Sequence, residues 1–289
     1  MDRICVIMLT LLLAVSFSLF AGGISESEGA ASTNGSIAQT QSEIGPEPRQ
    51  YNLDDYAAMT GSAITQFGEA PILAKRVESG ELPPVEERLP VNPVVMDVWD
   101  DVGRYGGVVR YTETNESYCL YLRHFVDSEL LELAPSNAFH RYNFVGGEIV
   151  PGVLEYWSMS EDGRSVLLRI RKGLKWSDGV PVTTQDVKYA IEDVIKNPEI
   201  FPVIEKWANW GGKPVDLKII DDYSFQLDFA APNGLFLYEL SHWRWWRLLR
   251  PRHYLERFHK SYASSSDLAE LMEKENYQPE EWGKFYSFV

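Results

Sequence analysis

Between Pro151 and Ile195 the apolar residues recur first at one spacing and then at another, and the change lays out two strands followed by a helix. Leu154 and Trp157 precede a turn at Ser160, Glu161, Asp162 and Gly163; Val166, Leu168 and Ile170 then alternate with Leu167, Arg169 and Arg171. Alternation with a period of two marks a half-buried strand, so the pair reads as a hairpin closed by Asp162-Gly163. A second tight turn at Trp176, Ser177, Asp178 and Gly179 leads to Thr183, which with Asp186 forms a capping box. Val187, Ala190, Ile191, Val194 and Ile195 follow at helical spacing. Asn197-Pro198 ends the helix, because the residue before proline is pushed out of the helical region.

A second alternating run predicts another hairpin. Val215, Leu217 and Ile219 lead to a turn at Asp221-Asp222, after which Tyr223, Phe225, Leu227 and Phe229 share one face. Together the hairpins imply a mixed sheet backed by the helix over 184–195. Upstream, the apolar positions Ala57, Ala58, Ile64, Phe67, Ile72, Leu73 and Val77 give Asp54 to Glu78 helical character. Gly80 to Pro93, holding four prolines, is expected to be extended. Val108 to Tyr111 reads as a first core strand, followed by a polar loop from Thr112 to Tyr118. Residues 24–48, rich in Ser, Gly, Ala, Thr and Gln, cannot bury enough surface to fold and describe a flexible linker.

Composition narrows the function. The 289 residues carry 45% apolar and 13% aromatic side chains, enough for one sizeable core or two small ones. A net charge of -15 opposes nonspecific attraction to nucleic acid or anionic lipid, which needs clustered Lys and Arg. Met1 to Gly23 reads as a secretory signal: Arg3 supplies a basic start, Cys5 to Phe20 is almost wholly apolar, and Ala21-Gly22-Gly23 offers small residues for cleavage. An uncleaved anchor is the alternative, since Asp2 weakens the basic start. With Cys5 inside that signal, Cys119 is the single thiol left, and it sits among apolar neighbours as a small hydrophobe. The five histidines show no spacing suited to metal coordination, and no cofactor is expected.

In order, Pro151 to Glu155, Asp162-Gly163, Arg171-Lys172-Gly173, Trp176 to Gly179 and Asp186-Val187 resemble the N-terminal signature of the family 5 extracellular solute-binding proteins of ABC importers, the peptide, nickel and oligosaccharide receptors. Tyr105-Gly106-Gly107 and the segment Leu249 to Tyr254 extend the resemblance, which covers roughly residues 82–289. It implies an α/β fold, the first lobe of a bilobed type II periplasmic binding protein, with a mixed sheet and antiparallel hairpins. Such receptors customarily have about twice this length, so the chain reads as an N-terminal portion that stops before the second lobe. The implied organisation is a signal peptide over 1–23, a linker over 24–48, a helical and Pro-rich lead-in over 49–104, and the solute-binding domain from 105 to 289. No cysteine stands at the cleavage site to carry a lipid.

In such receptors the ligand lies between two lobes, lined by loops at the C-terminal ends of first-lobe strands. Glu113, Asn115 and Tyr118 are therefore candidate ligand contacts. Trp210, Trp243, Trp245 and Trp246 join them, because aromatic faces stack on sugar rings or peptide side chains with few rotamers to freeze. Trp243 and Trp246, three apart, fit a helix core equally well. The expected role is non-catalytic: a monomer capturing a peptide or oligosaccharide outside the cytoplasmic membrane for an ABC permease. Two other classes stand beside it. One is a remnant without a ligand; the other is a glycoside hydrolase using a carboxylate pair such as Glu113 with Glu116 or Asp221 with Asp222.

Overall fold

The structure, a computed structural model, describes residues 50–96, 102–107, 140–142, 149–240 and 248–289. The signal, the linker, the strand expected over 108–111, the 112–118 loop, Cys119 and residues 241–247 lie outside them. Among the described residues no helix is long and apolar enough to cross a membrane.

In chain order the lead-in comprises β1 (Gln50–Asn52), α1 (Leu53–Thr60), α2 (Pro71–Glu78), α3 (Val85–Arg88) and β2 (Val94–Met96), with β1 and β2 paired antiparallel. The continuous helix expected over 54–78 is two helices. Gly61, at φ +75°, closes α1 by donating to the Ala57 carbonyl, and Pro71 opens α2 at its first turn. Neither helix buries a residue, and Met59 and Ile72 are exposed, so apolar residues at helical spacing here serve no core. The stretch after Gly80 is not wholly extended either. Pro84, at φ -51°, leads into the single turn of α3, where a proline is preorganised for helix entry.

Next come β3 (His140–Tyr142) and β4 (Ile149–Pro151), a second antiparallel pair, then β5 (Leu154–Met159) and β6 (Ser165–Ile170). With β7 (Asp216–Ile219) and β8 (Ser224–Asp228) the last two form a four-stranded sheet in the order β5-β6-β8-β7. Both predicted hairpins are present, and β6 joins them by pairing with β8, Leu168 opposite Phe225 and Val166 opposite Leu227. Every pairing among the described residues is antiparallel. Leu154, Val166, Leu168, Ile170, Phe225 and Leu227 are fully buried on one face, each contributing about 1.5–3 kcal/mol by leaving water.

Helix α4 (Thr184–Lys188) begins at the predicted capping box: Gln185 N–H donates to the Thr183 hydroxyl, and Thr183 N–H to the Asp186 carboxylate. From Tyr189 to Ile195 it widens into a π-helix, with Lys196 N–H reaching back to the Ile191 carbonyl at 3.0 Å. The spacing of apolar residues gave no sign of this change of pitch. Its consequence is a helix with two working faces. Val187, Ile191 and Ile195 pack on the sheet, whereas Tyr189 and Val194 enter a second core with Leu255, Phe258, Leu268, Met272, Trp282, Phe285 and Tyr286.

That second core is built by the helices that follow Pro251, whereas Phe236 and Leu240 join the first. After α5 (Phe236–Leu240) come α6 (Arg252–Leu255), α7 (Ser265–Lys274) and α8 (Trp282–Phe288). Ser264 caps α7 by accepting Asp267 N–H, and Trp282 ties α8 to the turn after α6 by donating its indole N–H to the Phe258 carbonyl at 2.9 Å. Among the described residues there are thus two hydrophobic clusters with α4 between them, the second of the two arrangements that composition allows.

Candidate functional site

The signature segments of the sequence converge on two carboxylates. Asp186, 4% exposed, accepts Thr183 N–H through Oδ2 at 2.9 Å and Arg252 N–H through Oδ1 at 3.1 Å, with the Trp176 indole N–H at a longer 3.4 Å. Asp178, in the turn after Trp176, meets His253 Nε2 at 2.6 Å and holds its own turn by accepting Val180 N–H. The hydrogen bond from His253 keeps the Asp178 carboxyl below its ordinary range. Sequence showed both motifs but not that they touch. Chemically the arrangement is a clasp: its donors and acceptors are spent on backbone and on each other, with no nucleophile beside a base.

A second fastening sits at Arg171. Alternation predicts this residue on the polar face of its strand, yet it is 1% exposed, and the reason is its partners. Its Nε donates to the Gly152 carbonyl at 2.9 Å, and Nη1 donates to the Asn92 carbonyl. Burial pushes the guanidinium down to about 10, partly offset by the Glu155 carboxylate. Beside it, Gly173 adopts φ +90° and a Cβ there would lie 3.1 Å from Val91 N, so the Pro-rich segment passes against a turn that needs glycine. Val91 N–H closes the contact by donating to the Lys172 carbonyl.

Of the expected ligand contacts, Trp210 falls in the described residues; Glu113, Asn115, Tyr118, Trp243, Trp245 and Trp246 lie outside them. Trp210 follows the short 3-10 helix Lys206–Asn209 and packs half-buried against the sheet core. Its indole N–H donates to the Pro232 carbonyl at 2.8 Å, and Lys206 lies 5.5 Å from its ring centroid. The adjoining Gly211, at φ +78°, lets the turn approach Ala231, whose backbone N would stand 2.8 Å from a Cβ. Asp221, one member of a carboxylate pair considered for hydrolysis, caps its hairpin turn by accepting Tyr223 and Ser224 N–H at 2.7 Å each, which lowers its pKa. Among the described residues no group of His, Cys, Asp and Glu is arranged to hold a metal.

Hollows indent the surface among the described residues. One, of about 250 Å³, lies where Tyr51 and Asn52 of β1 face Ile149 of β4 and Trp157 of β5, with Asp55 and Glu155 at its edge. The other, of about 620 Å³, has Leu268, Met272, Tyr277 and Trp282 as its floor and the Glu199–Lys260 ion pair on its rim. Both are open, and Trp210 lines neither.

Comparison with known proteins gives this architecture its class. The family model for bacterial extracellular solute-binding proteins, family 5 Middle, matches residues 148–246, the stretch that holds both hairpins and the capped helix. The resemblance read from the sequence is thereby shown, and the mixed α/β architecture is similar to part of solved solute-binding proteins. A periplasmic alpha-galactoside-binding protein of Rhizobium meliloti (strain 1021) is 28% identical over 218 residues, 71% of this chain and 31% of that protein. The periplasmic oligopeptide-binding protein OppA of Escherichia coli (strain K12) is 28% identical over 138 residues, 40% of this chain and 25% of the relative. A solved oligopeptide-binding protein OppA matches 83% of this chain and 35% of its own, at 31% identity and a TM-score of 0.71. The chain therefore spans about a third of the length of these relatives. They are named as binding proteins, which fits a non-enzymatic role at the level of the family.

Proposed function

We propose that this chain supplies one lobe of an extracytoplasmic solute receptor, which captures a peptide or an oligosaccharide and hands it to a membrane permease of the ABC type. The observation that carries this reading is the likeness to a solved oligopeptide-binding protein over 83% of the chain, together with the clasp that ties its signature turns to α4 and α6. Support for a sugar ligand comes from the alpha-galactoside-binding relative, and support for a peptide from the oligopeptide-binding ones. In this reading Glu113, Asn115, Tyr118, Trp210, Trp243, Trp245 and Trp246 contribute contacts to the solute. Closure of a second lobe over it then stabilises the bound state, because contacts made to both lobes exist in the closed form alone.

Export and binding are tested separately. Fused to a reporter enzyme that is active outside the cytoplasm alone, the first 48 residues are expected to give activity, and their deletion to abolish it. Isothermal titration of the chain with short-peptide pools and with alpha-galactosides is expected to give saturable heat with one class. Absence of heat with both refutes solute capture by this lobe alone.

A further inference from the structure

One buried titratable group stands apart from the residues proposed to contact the solute. His259 is 1% exposed and sits inside the second core, ringed by Tyr189, Tyr262, Trp282 and Tyr286 at centroid distances of 5.1 to 5.8 Å. Both ring nitrogens are committed to backbone groups that cannot exchange roles. Nε2 faces the Asp193 carbonyl at 3.1 Å, an acceptor, so it carries the proton; Nδ1 faces Ser261 N–H at 3.3 Å, a donor, so it carries a lone pair. This pattern fits the neutral imidazole alone. A second proton would set two donors against each other and place a charge where water does not reach.

The surroundings do little to welcome that charge. From α4 the imidazole meets the Tyr189 ring and feels the charge of the Asp193 carboxylate, and from the loop beyond it that of Glu199. Its own loop brings Lys260 and Tyr262, with Arg252 of α6 5.6 Å over the Tyr262 ring, and α8 brings Trp282 and Tyr286. Arg250 acts on Tyr189 and Tyr286. Asp193 and Glu199 favour the imidazolium, whereas burial and Lys260 oppose it, and burial is the larger effect.

We propose that His259 is an acid-sensitive latch: its protonation undocks the helical body from Arg252 to Phe288 from α4 while the four-stranded sheet stays folded. The division is possible because α4 keeps its sheet-facing residues Val187, Ile191 and Ile195 when Tyr189 and Val194 lose their partners. Since burial holds the imidazole below its ordinary value of 6.5, the unfolded form takes up the proton first. Docking is thus undiminished above that pH and weakens as the pH falls below it.

Hydrogen exchange followed by mass spectrometry on the whole chain, at about pH 7.5 and about pH 5, tests this after correction for intrinsic exchange. Segments within 252–288 are expected to open more at about pH 5 than at about pH 7.5, by at most about tenfold for each pH unit below the ordinary value, with 154–170 and 224–228 unchanged. His259→Gln, which offers a neutral donor and acceptor, is expected to lose that response. Titration of the His259 ring by NMR in the unaltered chain stands in if the variant does not fold; it is expected to give a midpoint below that of a free imidazole. An equal acid response in His259→Gln, opening shared by the sheet, or a ring that titrates as a free imidazole each overturns the proposal.

Discussion

The Asp186 carboxylate accepts the backbone N–H of Arg252 at 3.1 Å across 66 residues of chain, while its other oxygen closes the first turn of its own helix. One buried side chain therefore caps α4 and anchors α6. Replacing it by alanine removes both acceptors and leaves buried donors without partners, a loss of about 3 kcal/mol. Asp186→Asn keeps one carbonyl oxygen and is expected to lose less. Urea unfolding followed by tryptophan fluorescence checks the order: Asp186→Ala below Asp186→Asn below the parent. Equal midpoints for parent and Asp186→Ala refute the clasp.

At Gly283 the backbone of α8 passes close against that of Glu199. A Cβ at this position would stand 1.8 Å from the Glu199 carbonyl oxygen, a backbone atom that cannot swing aside. Gly283→Ala is expected to cost about 3 kcal/mol through overpacking. Gly234, whose Cβ would meet nothing within 4 Å, is the control: Gly234→Ala is expected to be neutral or slightly stabilising. Thermal unfolding of the two variants side by side measures the contrast.

How much of this was legible depends on how local the determining physics is. Asp162-Gly163 and the Thr183–Asp186 box specify their structures within four residues, and the hairpin and the cap are both present as expected. Alternation alone places Arg171 outward, because a strand's period knows nothing of the Asn92 and Gly152 carbonyls that draw its guanidinium inside. The helix expected over 54–78 failed at Gly61 for the same reason: its apolar residues keep a helical period without a surface to bury against. The widening of α4 goes with packing on two cores at once, which no single spacing encodes. Of the expected ligand contacts, Trp210 alone lies among the described residues, and its indole is engaged by Pro232.

Arg171 also makes a prediction about the lead-in. Its guanidinium reaches the Asn92 carbonyl, so Arg171→Met is expected to free the segment from Pro83 to Pro93 while leaving the sheet in place. The cost is about 2–3 kcal/mol, as for lost hydrogen bonds to a charged donor. Limited proteolysis checks it: cleavage within 83–93 at protease concentrations that spare the parent is the expected result. Cleavage first within 154–170 instead shows the residue supporting the sheet.

The two hydroxyls of Tyr189 and Tyr286 lie 2.8 Å apart in the second core, at 1% and 3% exposure. Burial raises the pKa of both, so neither phenol ionises over the range in which proteins are handled. Each is the other's partner, and this makes the pair a test of whether the contact stabilises or only avoids a penalty. Tyr189→Phe strands the Tyr286 hydroxyl, and Tyr286→Phe strands that of Tyr189; each is expected to cost about 1–3 kcal/mol. Removing both strands nothing, so the double variant is expected to lie well above the sum of the singles, with a coupling of about 1 kcal/mol or more. Additive losses in denaturant unfolding indicate that water already serves these oxygens, and that α4 and α8 are held together by their rings and not by their hydroxyls.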